Sequence, residues 1–385
     1  MWTRFKMMSL PAARFLLFAI GLGAAVVVAT VVAAQQPRIQ NGAVTTQPAG
    51  SPFGQSFRSL VSATTEAAWV GYAVPVANGE RVMCCFNGGT SSFNGTTSDA
   101  SGCCGLCRLE NSSGTNMSTR SQTPTPAGVI KLEGSDQMIV LFRVADRAVE
   151  RVRVFSEDCQ LDAGGRPVRW LENVRPADSI ALLESLVSAQ PQADTRNRVM
   201  DGAITAIAMH GDPAADTSLE RLVNRTQPET VRKKVTFWLG NARGQRGFQT
   251  LQRMLREDPS VEVRKGAIFG LSQSKVPQAV DTLIATARND AEPRLRGEAL
   301  FWLAQKAGEK ASSTITDRID QDPDTEVKKK AVFALSQLPK DEGVPLLIKV
   351  ARTNPNPEVR KQAMFWLGQS KDSRATDFFA EVLGK

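Results

Sequence analysis

The chain has 385 residues, 47 Lys+Arg against 39 Asp+Glu, and 42% hydrophobic residues. That balance excludes wholesale disorder and collagen-like fibre and suggests about two or three domains of roughly 150 residues each. A single His (His210), a single Tyr (Tyr72) and a dispersed net charge of +8 argue against histidine-rich metal sites, His-based catalysis and nucleic-acid binding.

Arg4, Lys6 and Arg14 form a positive lead without acids, and residues 15–34 carry no charge. The run ends in Val32, Ala33 and Ala34, small enough at its last position for signal-peptidase cleavage. Residues 1–34 therefore read as a secretory signal peptide. Twenty uncharged residues are also long enough to span a bilayer, so an uncleaved signal anchor is the alternative. Either way the remainder is expected to be exported, to a periplasm or cell envelope or outside the cell. The membrane is then met only through an uncleaved N-terminal segment. Residues 35–56 are rich in Gln, Pro, Gly, Ser and Thr and predict a disordered linker.

From 57 to 175 the apolar period becomes two. MIVLFRV at 138–144 and VERVRVF at 149–155 flank a short polar turn, which is a hairpin pattern. Residues 69–76 and 81–86 read as further strands, and 87–102 and 111–127 as loops. All six cysteines lie here: Cys84, Cys85, Cys103, Cys104, Cys107 and Cys159. In an exported chain an even count favours structural disulfides, with the pairing open. A thiolate metal site or a redox pair at Cys104 and Cys107 is the alternative. No cofactor is expected.

From 176 to 385 the sequence repeats every 32 residues, in about six units. Val199, Val231, Val263, Leu295, Val327 and Val359 form one column. Ala203, Val235, Ala267, Ala299, Ala331 and Ala363 stand four residues on, and Ile207, Leu239, Leu271, Leu303, Leu335 and Leu367 eight on. A second set, Leu219, Leu251, Leu283, Ile315, Leu347 and Phe379, keeps the same interval. Spacings of this kind mark helix faces, so each unit holds two amphipathic helices. Asp-Pro or Asn-Pro at 258, 322 and 354 predicts a cap and first turn for each second helix. A lone helix pair cannot bury its apolar face, so the units must stack. The predicted fold is α+β multidomain: a C-terminal all-α superhelical solenoid behind a smaller β-rich, disulfide-bearing module.

The pattern DPDTEVKKKAVFAL at 322–335, recurring as DPSVEVRKGAIFGL at 258–271, resembles the HEAT-like repeat, in the short form seen in phycobilisome-lyase-type proteins. The resemblance implies a right-handed α-superhelix with second helices lining its concave face. With the β-rich module, the whole is similar to a type of exported bacterial HEAT protein. Arg232, Arg264, Arg296, Lys328 and Arg360 form a basic column, with Asp258, Asp290, Asp322 and Asn354 six residues before the last four. This resembles the Asp–Arg ladder that ties neighbouring repeats together, a structural role for Asp258, Asp290, Asp322, Arg264, Arg296 and Lys328.

Phe237, Phe269, Phe301, Phe333 and Phe365 form another column. On a wheel of about 100° per residue, Phe333 falls about 200° from the core residue Ala331. Lys233, Lys265, Lys329 and Lys361 flank the rings on one side, and Gln273, Gln305, Gln337 and Gln369, with Asn241, on the other. Gly297 interrupts the Lys row. Apolar residues repeated on a face away from the core ask for an explanation. Rings packed on each other and on Lys stems would make a self-contained surface ladder. Alternatively the face binds a partner protein or extended peptide, and these rows are its candidate contacts. Trp238, Trp302 and Trp366, 64 residues apart, read as inter-unit packing. His210 reads as a helix-end cation favouring the dipole. The leading functional expectation is a non-enzymatic interaction scaffold. A lyase-type enzyme by resemblance, a thiol oxidoreductase and a nucleic-acid binder are the alternatives.

Overall fold

The computed structural model describes residues 37–77, 107–110, 136–157, 159–189 and 193–384. The leader, the strand expected at 81–86 and Cys84, Cys85, Cys103 and Cys104 lie outside these residues. A five-stranded sheet opens the described chain. Its strands are β2 (Val44–Pro48), β3 (Ala68–Pro75), β5 (Gln137–Ala145), β6 (Ala148–Ser156) and β8 (Val168–Glu172), in the order β2-β8-β3-β5-β6. β5 and β6 are the hairpin expected from the alternating runs, paired antiparallel with Phe142 opposite Val152. Asp146 and Arg147 turn it with positive φ at both positions, the handedness that suits the twist of paired strands.

Alternation sends the two sheet faces into different cores. Val70, Tyr72, Val74, Val140 and Phe142 point one way, against Phe53 and Phe57 of helix α1 (Phe53–Ser62). Trp69, Ile139, Leu141, Phe155 and Trp170 point the other way, into a second core with Leu109, Cys159 and Leu161. A three-stranded sheet, β1 (Ile39–Gln40), β7 (Leu161–Asp162) and β4 (Cys107–Arg108), accompanies that core. The stretch expected to be a disordered linker is therefore structure. β1 pairs with β7, β2 runs parallel to β8, and α1 begins at Phe53. Its polar composition was misleading because its partners lie more than a hundred residues downstream and satisfy its backbone, while Phe53 and Phe57 supply the anchor.

Helical hairpins follow without a break in the core. One layer holds α3 (Ala193–Met209), α5 (Glu229–Ala242), α7 (Val261–Gln273), α9 (Pro293–Ala307), α11 (Thr325–Ser336) and α13 (Pro357–Gln369), each beside the next. The other holds α2 (Pro176–Ser188), α4 (Ala214–Leu222), α6 (Gly244–Glu257), α8 (Gln278–Asn289), α10 (Glu309–Gln321), α12 (Lys340–Thr353) and α14 (Ser373–Leu383). The repeat columns are buried between the layers: Val263, Ala267 and Leu271 of α7 meet the same core as Leu251 and Leu283. In α14 the column slips, with Phe378 buried and Leu383 exposed.

The sheet closes the first end of this array. A Cβ on Gly202 of α3 would lie 2.1 Å from the Val152 carbonyl oxygen, so helix and strand β6 touch backbone to backbone. Tyr72 shares a 2.9 Å hydrogen bond with Ser179 of α2, both buried. Beyond β3, the Gly211 N–H donates to the Pro75 carbonyl (2.7 Å) and the Ala77 N–H to that of Met209 (2.8 Å).

His210 sits inside this seam and is not the helix-end cation expected. It is fully buried, its Nδ1 accepts from the Asp212 N–H at 3.3 Å, and its Nε2 has no partner among the described residues. Burial lowers its pKa to about 4, with Asp212 opposing the shift and Arg243 adding to it. The folded imidazole is thus neutral near neutrality. Below pH 6.5 the unfolded chain gains a proton that the folded one refuses until about pH 4, so stability must fall across that window. At about 1.4 kcal/mol per pKa unit, the loss is roughly 3 kcal/mol. Denaturant titrations from pH 7 to 4 should show a steeper decline for the native chain than for His210→Gln. Equal slopes would mean that the imidazole is not the responsible group.

Candidate functional site

Two ladders run across the repeats. In the polar one, Arg232 makes a two-pronged ion pair with Asp258 of the next unit (2.8 and 3.1 Å), and Arg296 does so with Asp322 (2.8 and 2.8 Å). Arg264 reaches Asp290 at 2.7 Å. Each Arg also holds a carbonyl of its own unit: Gln227 for Arg232, Leu255 for Arg264 and Asp290 for Arg296. The planar fork of Arg suits this double duty. The carboxylates accept the backbone N–H two residues on, from Ser260, Glu292 and Asp324. The Asp of the Asp-Pro pairs is therefore not the helix cap expected of it. Asp258 and Asp322 end the preceding helices, and the caps are Ser260 and Asp324.

The ladder stops at its fourth rung. Lys328 donates to the Asp320 carbonyl at 2.8 Å, within its own unit. The next acid position is Asn354, buried, with its amide nitrogen unpartnered among the described residues. Lys328 spends its ammonium on that carbonyl, and the Asn354 amide carries no charge to draw it across, so Lys328 is not a rung of the kind predicted. Three of the column's five cations, Arg232, Arg264 and Arg296, are thus neutralised by Asp of the next unit.

The second ladder is aromatic. The Phe column is not sealed in the core: Phe237, Phe269, Phe301 and Phe333 are half-buried and Phe365 is 53% exposed. Phe237 stacks on Phe269 with centroids 5.7 Å apart, and Phe301 on Phe333 at 5.7 Å. The two stacks are joined by Trp302, whose centroid lies 4.7 Å from Phe269 and 4.8 Å from Phe301. Trp366 repeats the join, 4.7 Å from Phe333 and 5.0 Å from Phe365. Trp238 meets Phe237 edge-on at 5.0 Å. Trp302 and Trp366, expected to pack between units, do so on Phe269 and Phe333, and by the same contacts they are members of the row.

Backbone spacing explains the alternation. A Cβ on Gly240 would lie 1.9 Å from the Gly270 carbonyl oxygen, so α5 and α7 approach closely enough for their rings to stack directly. At the next joint Ser272 and Trp302 occupy the positions equivalent to Gly240 and Gly270, and the indole stands between the Phe rings of the two units. Ala304 and Ala334 then repeat the small pair.

The expected flanks line this row unevenly. Lys265 and Lys233 both meet Glu262 (3.0 and 3.8 Å), and Lys329 meets Glu326 (2.9 Å). Lys265 holds the Glu262 carboxyl below its usual range. Lys361 is exposed. At Gly297, where the row is interrupted, the Lys330 stem crosses, with Cδ 2.4 Å from where a Cβ would stand. On the other flank Gln305, Gln337 and Gln369 are exposed and Gln273 is half-buried. Gln305 donates to Gln337 in the next unit at 3.3 Å.

The β-rich region carries a separate polar cluster. Glu110 accepts from the Trp69 indole at 2.9 Å and from Arg143, which also pairs with Glu150. Hydrogen bonding and charge from Arg143 hold Glu110 below its usual range against the opposing effect of burial. Arg153 donates to the Arg108 carbonyl at 2.6 Å and lies over the Phe155 ring. These contacts pin residues 107–110 to the sheet. Cys159 is buried in the second core. Among the described residues no three His, Cys, Asp or Glu converge as a metal-ligand set.

Residues 221–304 and 312–385 match the family described as HEAT repeats. Together with the paired layers, this makes the C-terminal part a HEAT-like solenoid behind a small sheet-containing region. The crystal structure of Kap121p is similar at 14% identity, covering 53% of this chain and 26% of that one, with a TM-score of 0.35. The Cnd3–Cnd2 condensin subcomplex of S. pombe is similar at 16% identity, covering 50% and 28%, with a TM-score of 0.33. The CpcE–CpcF complex of phycocyanin lyase from Nostoc sp. PCC7120 is similar at 20% identity, covering 54% and 81%, with a TM-score of 0.29. The match thus spans about a quarter of the length of Kap121p. No curated protein matches the chain.

Burial decides which charges matter for stability. The Arg296 and Asp322 side chains are 8% and 0% exposed, whereas Glu326 is 74% exposed. Asp322→Ala strands a buried guanidinium and should cost about 3 kcal/mol or more. Glu326→Ala should cost less than about 1 kcal/mol. Urea unfolding of the two variants would check this, and equal losses would refute the ladder as a stabilising element.

Proposed function

We propose that this is an exported, non-enzymatic scaffold that holds an extended segment of a partner protein along its aromatic row. The carrying observation is that the rings recur on the solvent side of one helix layer, half-open, beside a parallel row of carboxamides. Each amide can both donate to and accept from a peptide backbone. The stacked rings turn faces to each other, at 19° in one pair and 4° in the other. What they offer outward is mainly their weakly positive rims, which suit carbonyl oxygens and aliphatic side chains better than a flat sugar. The Lys row is partly matched by Glu262 and Glu326, so the partner need not be strongly acidic.

In this reading the sheet is the cap of the solenoid's first end, keeping the first hairpin from exposing the apolar side its neighbours cover in later units. The charge-free leader directs the chain out of the cytoplasm, and the cysteines pair as structural disulfides there.

Phe269→Ser, Phe301→Ser and Phe333→Ser combined should leave the helical circular dichroism in place. The variant should lose at least about tenfold in recovery of the partner that the native chain captures from a cell-envelope extract. Undiminished recovery would overturn the docking row. Export has its own readout: the purified mature chain should show no reactive thiol without reductant, and stoichiometric free thiols would contradict the disulfides.

A further inference from the structure

The aromatic row is built as a repeat of two units, not of one. Shifting by 64 residues carries Phe237, Trp238 and Phe269 onto Phe301, Trp302 and Phe333. The geometry follows: both Phe–Phe stacks are at 5.7 Å, and the Phe–Trp edge contacts are at 5.0 and 4.8 Å. The supports follow as well. Ser272 and Ser336 donate to the carbonyls of Phe269 and Phe333 at 2.7 and 2.6 Å. Gln273 and Gln337 are each tied back to that serine at 3.0 Å. One amide in each pair of repeats is therefore held in a set orientation, next to one directly stacked ring pair.

We infer that the face contains two equivalent subsites, two repeats apart, and that its partner is one polypeptide carrying two copies of a short apolar segment. This rests on the reading of the row as a docking face and deepens it. The same three rings and the same Ser–Gln pair recur at both places, while Lys233 and Asn241 of one copy are Gly297 and Gln305 in the other. The shared rings and tied amide accept the same short apolar motif with comparable affinity. A partner with one motif would leave half of the row unused. A partner with two gains by making its second contact intramolecular, typically a hundredfold or more.

The test uses the full chain and a short peptide selected against it from a random display library. In isothermal titration the single-copy peptide should bind two per chain. Phe237→Ser with Phe269→Ser, or Phe301→Ser with Phe333→Ser, should each leave one site of unchanged affinity. A tandem peptide should bind about a hundredfold tighter than the single copy and lose that gain with either pair. Gln273→Ala and Gln337→Ala, which remove only the tied amides, should weaken one site each by the same factor. One site per native chain, or sensitivity to only one ring pair, would overturn the equivalence while leaving the docking row standing. Insensitivity to both pairs would overturn the docking row itself.

Discussion

Each helical hairpin here has more apolar surface than it can cover alone, and the rest of the architecture answers to that fact. Leu251, Val263, Ala267 and Leu271 become buried only because the hairpins on either side lie against them. The core is therefore one continuous body from the sheet to the last helices. Such a body has ends, and at the first one the five-stranded sheet lies against the helices. Gly202 lets α3 lie on β6 with no side chain between, and Val152 and Val154 enter the core that the next helices would otherwise supply.

The same requirement explains the buried ion pairs. Hairpins stacked by apolar contact alone could slide or rotate against each other, because dispersion has little directional preference. Arg232 with Asp258 and Arg296 with Asp322 bind neighbouring units at one register through paired, planar hydrogen bonds. Each Asp meanwhile closes the turn from which the next helix starts. Where Asn354 replaces Asp and Lys328 replaces Arg, the cross-unit bond is gone, while the turn-closing half survives in the Asn356 N–H to Asn354 bond at 3.0 Å. Tying units together and closing turns are thus separable tasks carried by one column.

How far the amino-acid sequence exposes this depends on the range of the interaction concerned. Repeat columns and the hairpin at 137–156 are local patterns of helix and strand period, and they translate directly into α3 to α13 and β5–β6. The strands at 39–40 and 44–48 were not legible, since their order comes from pairing with β7 and β8 and their side chains stay largely at the surface. Capping was misplaced by two residues because Asp258 and Ser260 are both good caps in the abstract; the Arg of the preceding unit decides between them. The neutrality of His210 follows from a seam between β3 and α3 that no local pattern announces. The outward placement of the Phe column, by contrast, was readable from helical angle alone.

The alternation along that column is a packing consequence before it is anything else. Gly240 and Gly270 bring α5 and α7 into backbone contact beside the Phe237–Phe269 stack, and the small Ala304 and Ala334 stand at the equivalent positions beside the Phe301–Phe333 stack. At the intervening joints Trp302 and Trp366 stand instead, each touching a ring of its own unit and one of the unit before. Trp302 settles its indole N–H on Glu298 at 2.8 Å. Trp366 has Gln362 at that position and its indole nitrogen lacks a partner among the described residues. Core packing could have been achieved with aliphatic residues at every joint, as Val332 and Leu300 show deeper in. Choosing aromatic groups, leaving them half-open, and aligning carboxamides beside them costs exposed apolar surface that stacking of the hairpins does not require. That excess, more than the repeat itself, is the physical reason to look for a ligand on this face.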